Sequence, residues 1–402
     1  MIIDQTPCEV DRASDEAGVR AAAATVAIAP DAATLAVGRI PLLDGLRALS
    51  FLTVFAGHVG LERFVPGGFG VTVFFFLSGF LITTLMRAEF SGSGALNLSQ
   101  FWLRRALRIL PPFYLILLGA TLMGTLIDPA ATVSGHALAA RALHITNYWL
   151  IFRGYDGEPP GTGVYWSLAV EEHFYLLFPW IYLLLQKLHL PSSKQATVLW
   201  GLCALVLLWR CVLVLAWHAS SDRTYMGSDT RIDSILFGCA LAVWKNPVLD
   251  RPVLPGSLWK YVLVPVSMLV LAASLLIPNV EFRETFRYSL QGVALTVLFI
   301  AIIRFRDSAY FRLLSWRPIA FVGVLSYSLY LLHYAVILGV RHALATLHPA
   351  LQALIALAIS MALAWIVYLC VEQPCGRLRR RLHPSNVRKN RHGDCSVNGA
   401  AS

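Results

Sequence analysis

The sequence predicts an all-α protein: a polytopic bundle of about ten transmembrane helices with a polar tail at each end. Three observations predict it. Of the 402 residues, 57% are hydrophobic and only 14% charged, whereas a soluble domain is about 25% charged. Runs of about 20 apolar residues, the length a helix needs to cross hydrocarbon, recur along the chain. Lys and Arg gather in alternate short connections, the pattern that orients membrane helices.

Residues 1–39 mix Asp, Glu, Ala and Arg without an apolar stripe long enough to span. They also lack the basic start of a signal peptide, and read as a cytoplasmic tail. Spans follow at about 42–60, 68–86, 106–127, 166–186, 196–217, 231–244, 260–277, 288–303, 319–341 and 350–371. The membrane domain covers 40–375, and 376–402 is a basic tail on the cytoplasmic side. With both ends there, the inner connections are 87–105, 187–195, 245–259 and 304–318. They hold Arg87, Arg104, Arg105, Lys187, Lys194, Lys245, Arg251, Arg304, Arg306, Arg312 and Arg317. Segment 137–152 reads as a partial or interfacial helix in a long outer loop. Counting it as a span would put the basic 187–195 connection outside, against the positive-inside rule.

The net charge of +10 is therefore a topology signal, and no nucleic-acid partner is expected. Seven cysteines are present, but none forms a CxxC pair. Cys203, Cys211, Cys239 and Cys370 fall in apolar segments and read as small hydrophobes. No motif calls for a metal.

Arg47 and His58 are the first candidates for chemistry, in LDGLRALSFLTVFAGH. Eleven residues at 100° each make about three turns, so both project from one face, roughly 16 Å apart along the axis. Ionisable groups inside a membrane are costly and face a protein interior or a wet cavity. The alternative is a snorkelling Arg with a hydrogen-bonded structural His. In FWLRRALRILPPFY, Arg105 and Arg108 are i,i+3 neighbours, with Arg104 i,i+4 from Arg108. Such a fork suits a phosphate, and equally a topology signal.

YWSLAVEEHFYLLFPW opens an apolar helix with Glu171 and Glu172. They either favour the helix N-terminus through its dipole, or one of them orients His58 as a general base. SDTRIDSILFG puts Arg231 and Asp233 at the outer end of span six, where they hold an acceptor or merely pair. Ser78, in GVTVFFFLSGFLIT, lacks the GxSxG elbow of hydrolases and reads as a packing residue. His333, in LSYSLYLLHY, reads as a structural histidine.

Taken in order, these stretches resemble the acyltransferase-3 family of integral membrane acyltransferases. The likeness runs from Pro41 to Cys375 and includes the Arg47-to-His58 RX10H pattern, GVTVFFFLSGFLIT, the Arg105–Arg108 pair, WSLAVEE, DTRIDSILFG, LSYSLYLLHY and VEQP. The resemblance implies O-acyl transfer from acetyl-CoA or another acyl-CoA to a hydroxyl of a glycan or glycosylated small molecule. Its site at a bacterial inner membrane would place the lipid bilayer, the acyl-CoA and the glycan as partners. His58 and Glu171 match the family's catalytic positions, and Arg47, Arg105 and Arg108 match arginines that bind the donor. The chain ends soon after the tenth span, so no fused SGNH-type domain is expected. The competing reading is a transporter or exporter of a sugar-containing substrate, with the intramembrane Arg, His and Glu as a relay. Against it, the sequence shows no internal repeat of the kind paired-half transporters carry.

Overall fold

A computed structural model describes residues 41–127, 133–251 and 254–381. The tail expected at 1–39 lies outside these residues, as does most of the tail expected at 376–402. Twelve helices frame the bundle: α1 (Pro41–Leu61), α2 (Gly67–Ser93), α3 (Leu98–Ile127), α4 (Gly135–Ala142), α5 (Thr146–Arg153), α6 (Trp166–Lys187), α7 (Ser192–Ala216), α8 (Ser228–Val243), α9 (Gly256–Leu276), α10 (Arg287–Arg304), α11 (Arg317–Ala343) and α12 (Pro349–Arg381). Among the described residues there is no strand. Nine of these helices are long and apolar enough to cross a bilayer, and the chain is a multi-pass membrane protein.

The exception among the ten expected spans is α8. It has 16 residues, of which all but Ser228, Asp229 and Ile232 are buried. It packs against α2, α7 and α10. A helix enclosed by protein can carry Asp229, Arg231 and Asp233 because its polar groups find partners on its neighbours rather than lipid. Its fit with α2 depends on two glycines. A Cβ on Gly79 would lie 2.0 Å from the carbonyl oxygen of Ile235, and one on Gly238 would lie 2.2 Å from that of Phe76. Small residues let membrane helices approach this closely.

Two other boundaries differ from expectation. α3 begins at Leu98, so Arg104 and Arg105 stand about two turns inside a helix instead of in the preceding connection. α12 continues to Arg381, through the boundary expected at 375–376. Segment 137–152 forms two eight-residue helices, α4 and α5, too short to cross a bilayer. Between them His144 takes φ 56°.

The connection from α5 to α6 is anchored by Arg141. Its fully buried guanidinium donates to the Glu158 carboxylate, to Oγ1 of Thr162 at 3.1 Å and to the Ala137 carbonyl at 3.0 Å. Burial pushes the Glu158 carboxyl up, and the adjacent Arg141 charge counteracts it. This holds Gly161, at φ 76°, against α11, where a Cβ would meet Cα of Ala335 at 2.4 Å.

Candidate functional site: an arginine-lined cavity beside a histidine pair

α1, α2, α3, α6 and α11 line a cavity of about 180 Å³. Arg47, Arg105 and Arg108 all line it, as do Ser78, Ser167, Glu171, Tyr175 and Tyr330. The structure thus brings together Arg47, Arg105, Arg108, Glu171 and Ser78, all singled out in the sequence. Arg47 donates to Asp44 at 3.2 Å. Among the described residues no carboxylate pairs with Arg105 or Arg108. Arg105 lies 5.9 Å from the ring centroids of both Phe101 and Tyr175, and its buried Nε has no partner among the described residues. Arg104, its neighbour, turns away and pairs with Glu89 at 2.7 Å. Three guanidiniums against the Asp44 and Glu171 carboxylates leave this wall net positive, and Arg105 and Arg108 have no salt bridge among the described residues.

Glu171 and Tyr175 are one turn apart on α6, so they share a face. The Tyr175 hydroxyl donates to Oε2 of Glu171 at 2.8 Å and accepts from the Ser78 hydroxyl, which also lies 3.3 Å from that carboxylate oxygen. Among the described residues Glu171 makes no hydrogen bond to His58; α6 aims it at α2, where its Oε2 meets these two hydroxyls.

His58 stands in a π-helical turn, Gly57–Leu61, at the end of α1 remote from Arg47. Such turns recur at functional sites. Gly60 takes φ 101° within it. His58 is not part of the cavity lining, although Arg47 is. Its Nδ1 lies 2.9 Å from Nε2 of His333 on α11. His333 is fully buried, and its Nδ1 lies 2.7 Å from the Tyr330 carbonyl oxygen. The Tyr330 hydroxyl in turn bonds Ser167 Oγ at 2.6 Å, and both residues line the cavity. Tyr330 therefore lines the cavity with its side chain and meets His333 through its backbone carbonyl.

Arg231 and Asp233 do not pair with each other. Asp233 Oδ2 accepts from Arg210 at 2.7 Å and Ser289 at 2.9 Å, and Oδ1 accepts from the Ser234 amide at 2.8 Å. Arg231 is fully buried, 3.8 Å from the Tyr288 ring centroid and bonded to Thr72 at 3.1 Å. Asp233 is fully buried, and its carboxylate ties α7, α8 and α10 together. Among the described residues, no group of three or more His, Cys, Asp or Glu is placed to hold a metal ion.

Sequence reasoning missed three partners: His333 for His58, Tyr175 for Glu171 and Arg210 for Asp233. The i,i+3 spacing of Tyr330 and His333 and the i,i+4 spacing of Glu171 and Tyr175 were visible signals. Arg210, in an otherwise apolar run, was the sign that a buried carboxylate had to face it.

Residues 40–369 match the family model described as an acyltransferase domain. The peptidoglycan O-acetyltransferase OatA of Listeria monocytogenes is 32% identical over 347 residues, covering 83% of this chain and 55% of that protein. A putative peptidoglycan O-acetyltransferase of Bacillus subtilis is 33% identical over 74% of this chain and 48% of its own length. A putative O-acetyltransferase of Staphylococcus aureus is 31% identical over 74% of this chain and 50% of its own length. The chain thus spans about half the length of the curated relatives it matches. No solved structure matches it.

Proposed function

The chain belongs to the acyltransferase-3 family, and from that premise we propose that it is a membrane O-acyltransferase. It would move an acetyl or other short acyl group from acyl-CoA to a hydroxyl of a glycan or glycosylated small molecule. One observation carries this reading. A cavity lined by Arg47, Arg105 and Arg108 is also lined by Tyr330, whose carbonyl holds the histidine bonded to His58. This juxtaposition supports a phosphate-bearing donor bound beside a general base.

In this reading Arg105 and Arg108 take the phosphates of the donor by charge-assisted hydrogen bonds. The pantetheine arm runs along Ser78 and Glu171 toward Tyr330. Movement of the Tyr330 side chain lets the thioester reach His58, which takes the proton of the acceptor hydroxyl as general base. The hydroxyl oxygen attacks the thioester carbonyl, the C–S bond breaks, and the CoA sulfur leaves as the thiol. Glu171 acts on the donor side by fixing Ser78 and Tyr175. Arg105 and Arg108 near the cytoplasmic face and His58 toward the outer face fit donor entry from one side and acceptor entry from the other. This orientation rests on the basic connections at the arginine end, with both termini cytoplasmic in a bacterial inner membrane. The glycan acceptor rests on the relatives named for peptidoglycan.

The test uses membranes containing the protein, labelled acetyl-CoA and the host glycan fraction. Transfer of label to glycan that depends on the protein is the expected result. Absence of both transfer and CoA binding would favour an exporter instead.

A further inference from the structure

We propose that His333 is the positioning residue that fixes the tautomer of His58, replacing the carboxylate that usually stands behind a histidine base. This assignment rests on the acyl-transfer reading, in which His58 is the base.

The argument follows the protons through three atoms. A backbone carbonyl only accepts, so the 2.7 Å contact between His333 Nδ1 and the Tyr330 oxygen requires a proton on that nitrogen. His333 is 0% exposed, its ring lies edge-on to Phe51 with centroids 5.7 Å apart, and among the described residues no carboxylate bonds it. An unpaired cation there would be costly, so the ring is neutral and its Nε2 carries a lone pair. The 2.9 Å contact with His58 Nδ1 is then donated by His58. A neutral His58 with its proton on Nδ1 has its own lone pair on Nε2, which is the form a base requires.

The same relay serves the reaction. As the acceptor oxygen bonds the acyl carbon, its proton passes to His58 Nε2. The imidazolium keeps its Nδ1–H on the neutral His333. As the C–S bond breaks, the leaving sulfur takes the proton from Nε2, and His58 returns to its starting tautomer. His333 neither gains nor loses a proton. The Tyr330 carbonyl sets His333, His333 sets His58, and Arg341, donating to the His58 carbonyl at 3.0 Å, ties down its backbone from the far end of α11.

The test compares His333→Phe and His333→Gln with wild type and His58→Ala, in CoA binding and in acyl transfer. Phe keeps the ring and removes the acceptor atom, whereas the Gln side-chain oxygen can stand where Nε2 was. His333→Phe should bind CoA as wild type does and lose at least about 100-fold in kcat, within the span of a misdirected general base. His333→Gln should restore kcat to within about 10-fold of wild type. Wild-type kcat in His333→Phe, with His58→Ala inactive, would overturn the His333 assignment alone. Equal loss in Phe and Gln variants that still bind CoA would also overturn it. Wild-type transfer by His58→Ala would remove the base itself, and the assignment with it.

Discussion

Nδ1 of His58 and Nε2 of His333 lie 2.9 Å apart, across 275 positions of the chain. That contact joins α1 to α11, and His333 in turn meets the carbonyl of Tyr330, a residue of the arginine cavity. The two halves of the site therefore answer to different substitutions.

On the donor side, Arg105→Ala and Arg108→Ala should each weaken CoA binding by about 10- to 100-fold, the range for hydrogen bonds between charged groups. His58→Ala should leave that binding within about 3-fold of wild type. Titration calorimetry on detergent-solubilised protein measures both. Undiminished binding in the double arginine variant would place the phosphates elsewhere.

Asp233→Ala should destabilise the protein, with a cost in the ~3–5 kcal/mol range for breaking a buried pair, because it leaves the fully buried Arg210 uncompensated. Replacing both partners with apolar residues should recover most of the loss. Thermal unfolding checks this. A variant with unchanged Tm and a raised KM for the acceptor would instead return Asp233 to the acceptor site.

His144 supplies a pH dependence. Burial lowers it from 6.5 to about 4, with the charge of His173 adding to the effect. The neutral form is the one the fold favours. The stability it contributes is therefore full above pH 6.5, the unfolded value, and is lost as pH falls toward 4. Tm should drop across that window, and His144→Asn, which accepts the positive φ, should flatten the drop. An identical slope in the variant would assign the acid sensitivity to other groups.

The membrane class, nine of the spanning helices and the arginine wall were legible in the sequence because they rest on local signals. Apolar length marks a span, and the spacing of Arg105 and Arg108 marks a helix face. Partner choice was not legible. Glu171 was expected on His58 because a carboxylate behind a histidine is the commoner arrangement, but the rotation of α6 delivers it to Ser78 and Tyr175. His333 was read as structural because nothing local to LSYSLYLLHY places α11 against α1. The shared face of Arg47 and His58 assumed a regular helix to its end, and the π-helical turn at Gly57–Leu61 changes the direction of the last turn. Asp233 looked available at a helix end, and only the packing of α7 and α10 on α8 supplies Arg210 and Ser289.

The central claim is that His58 acts as base on a donor held by the arginine cavity. Single-turnover transfer of label from bound acetyl-CoA to glycan, comparing wild type with His58→Ala at equal CoA occupancy, tests it most directly. The account predicts a rate lower by about 100-fold or more in His58→Ala with CoA still bound. Transfer at the wild-type rate by His58→Ala would contradict it.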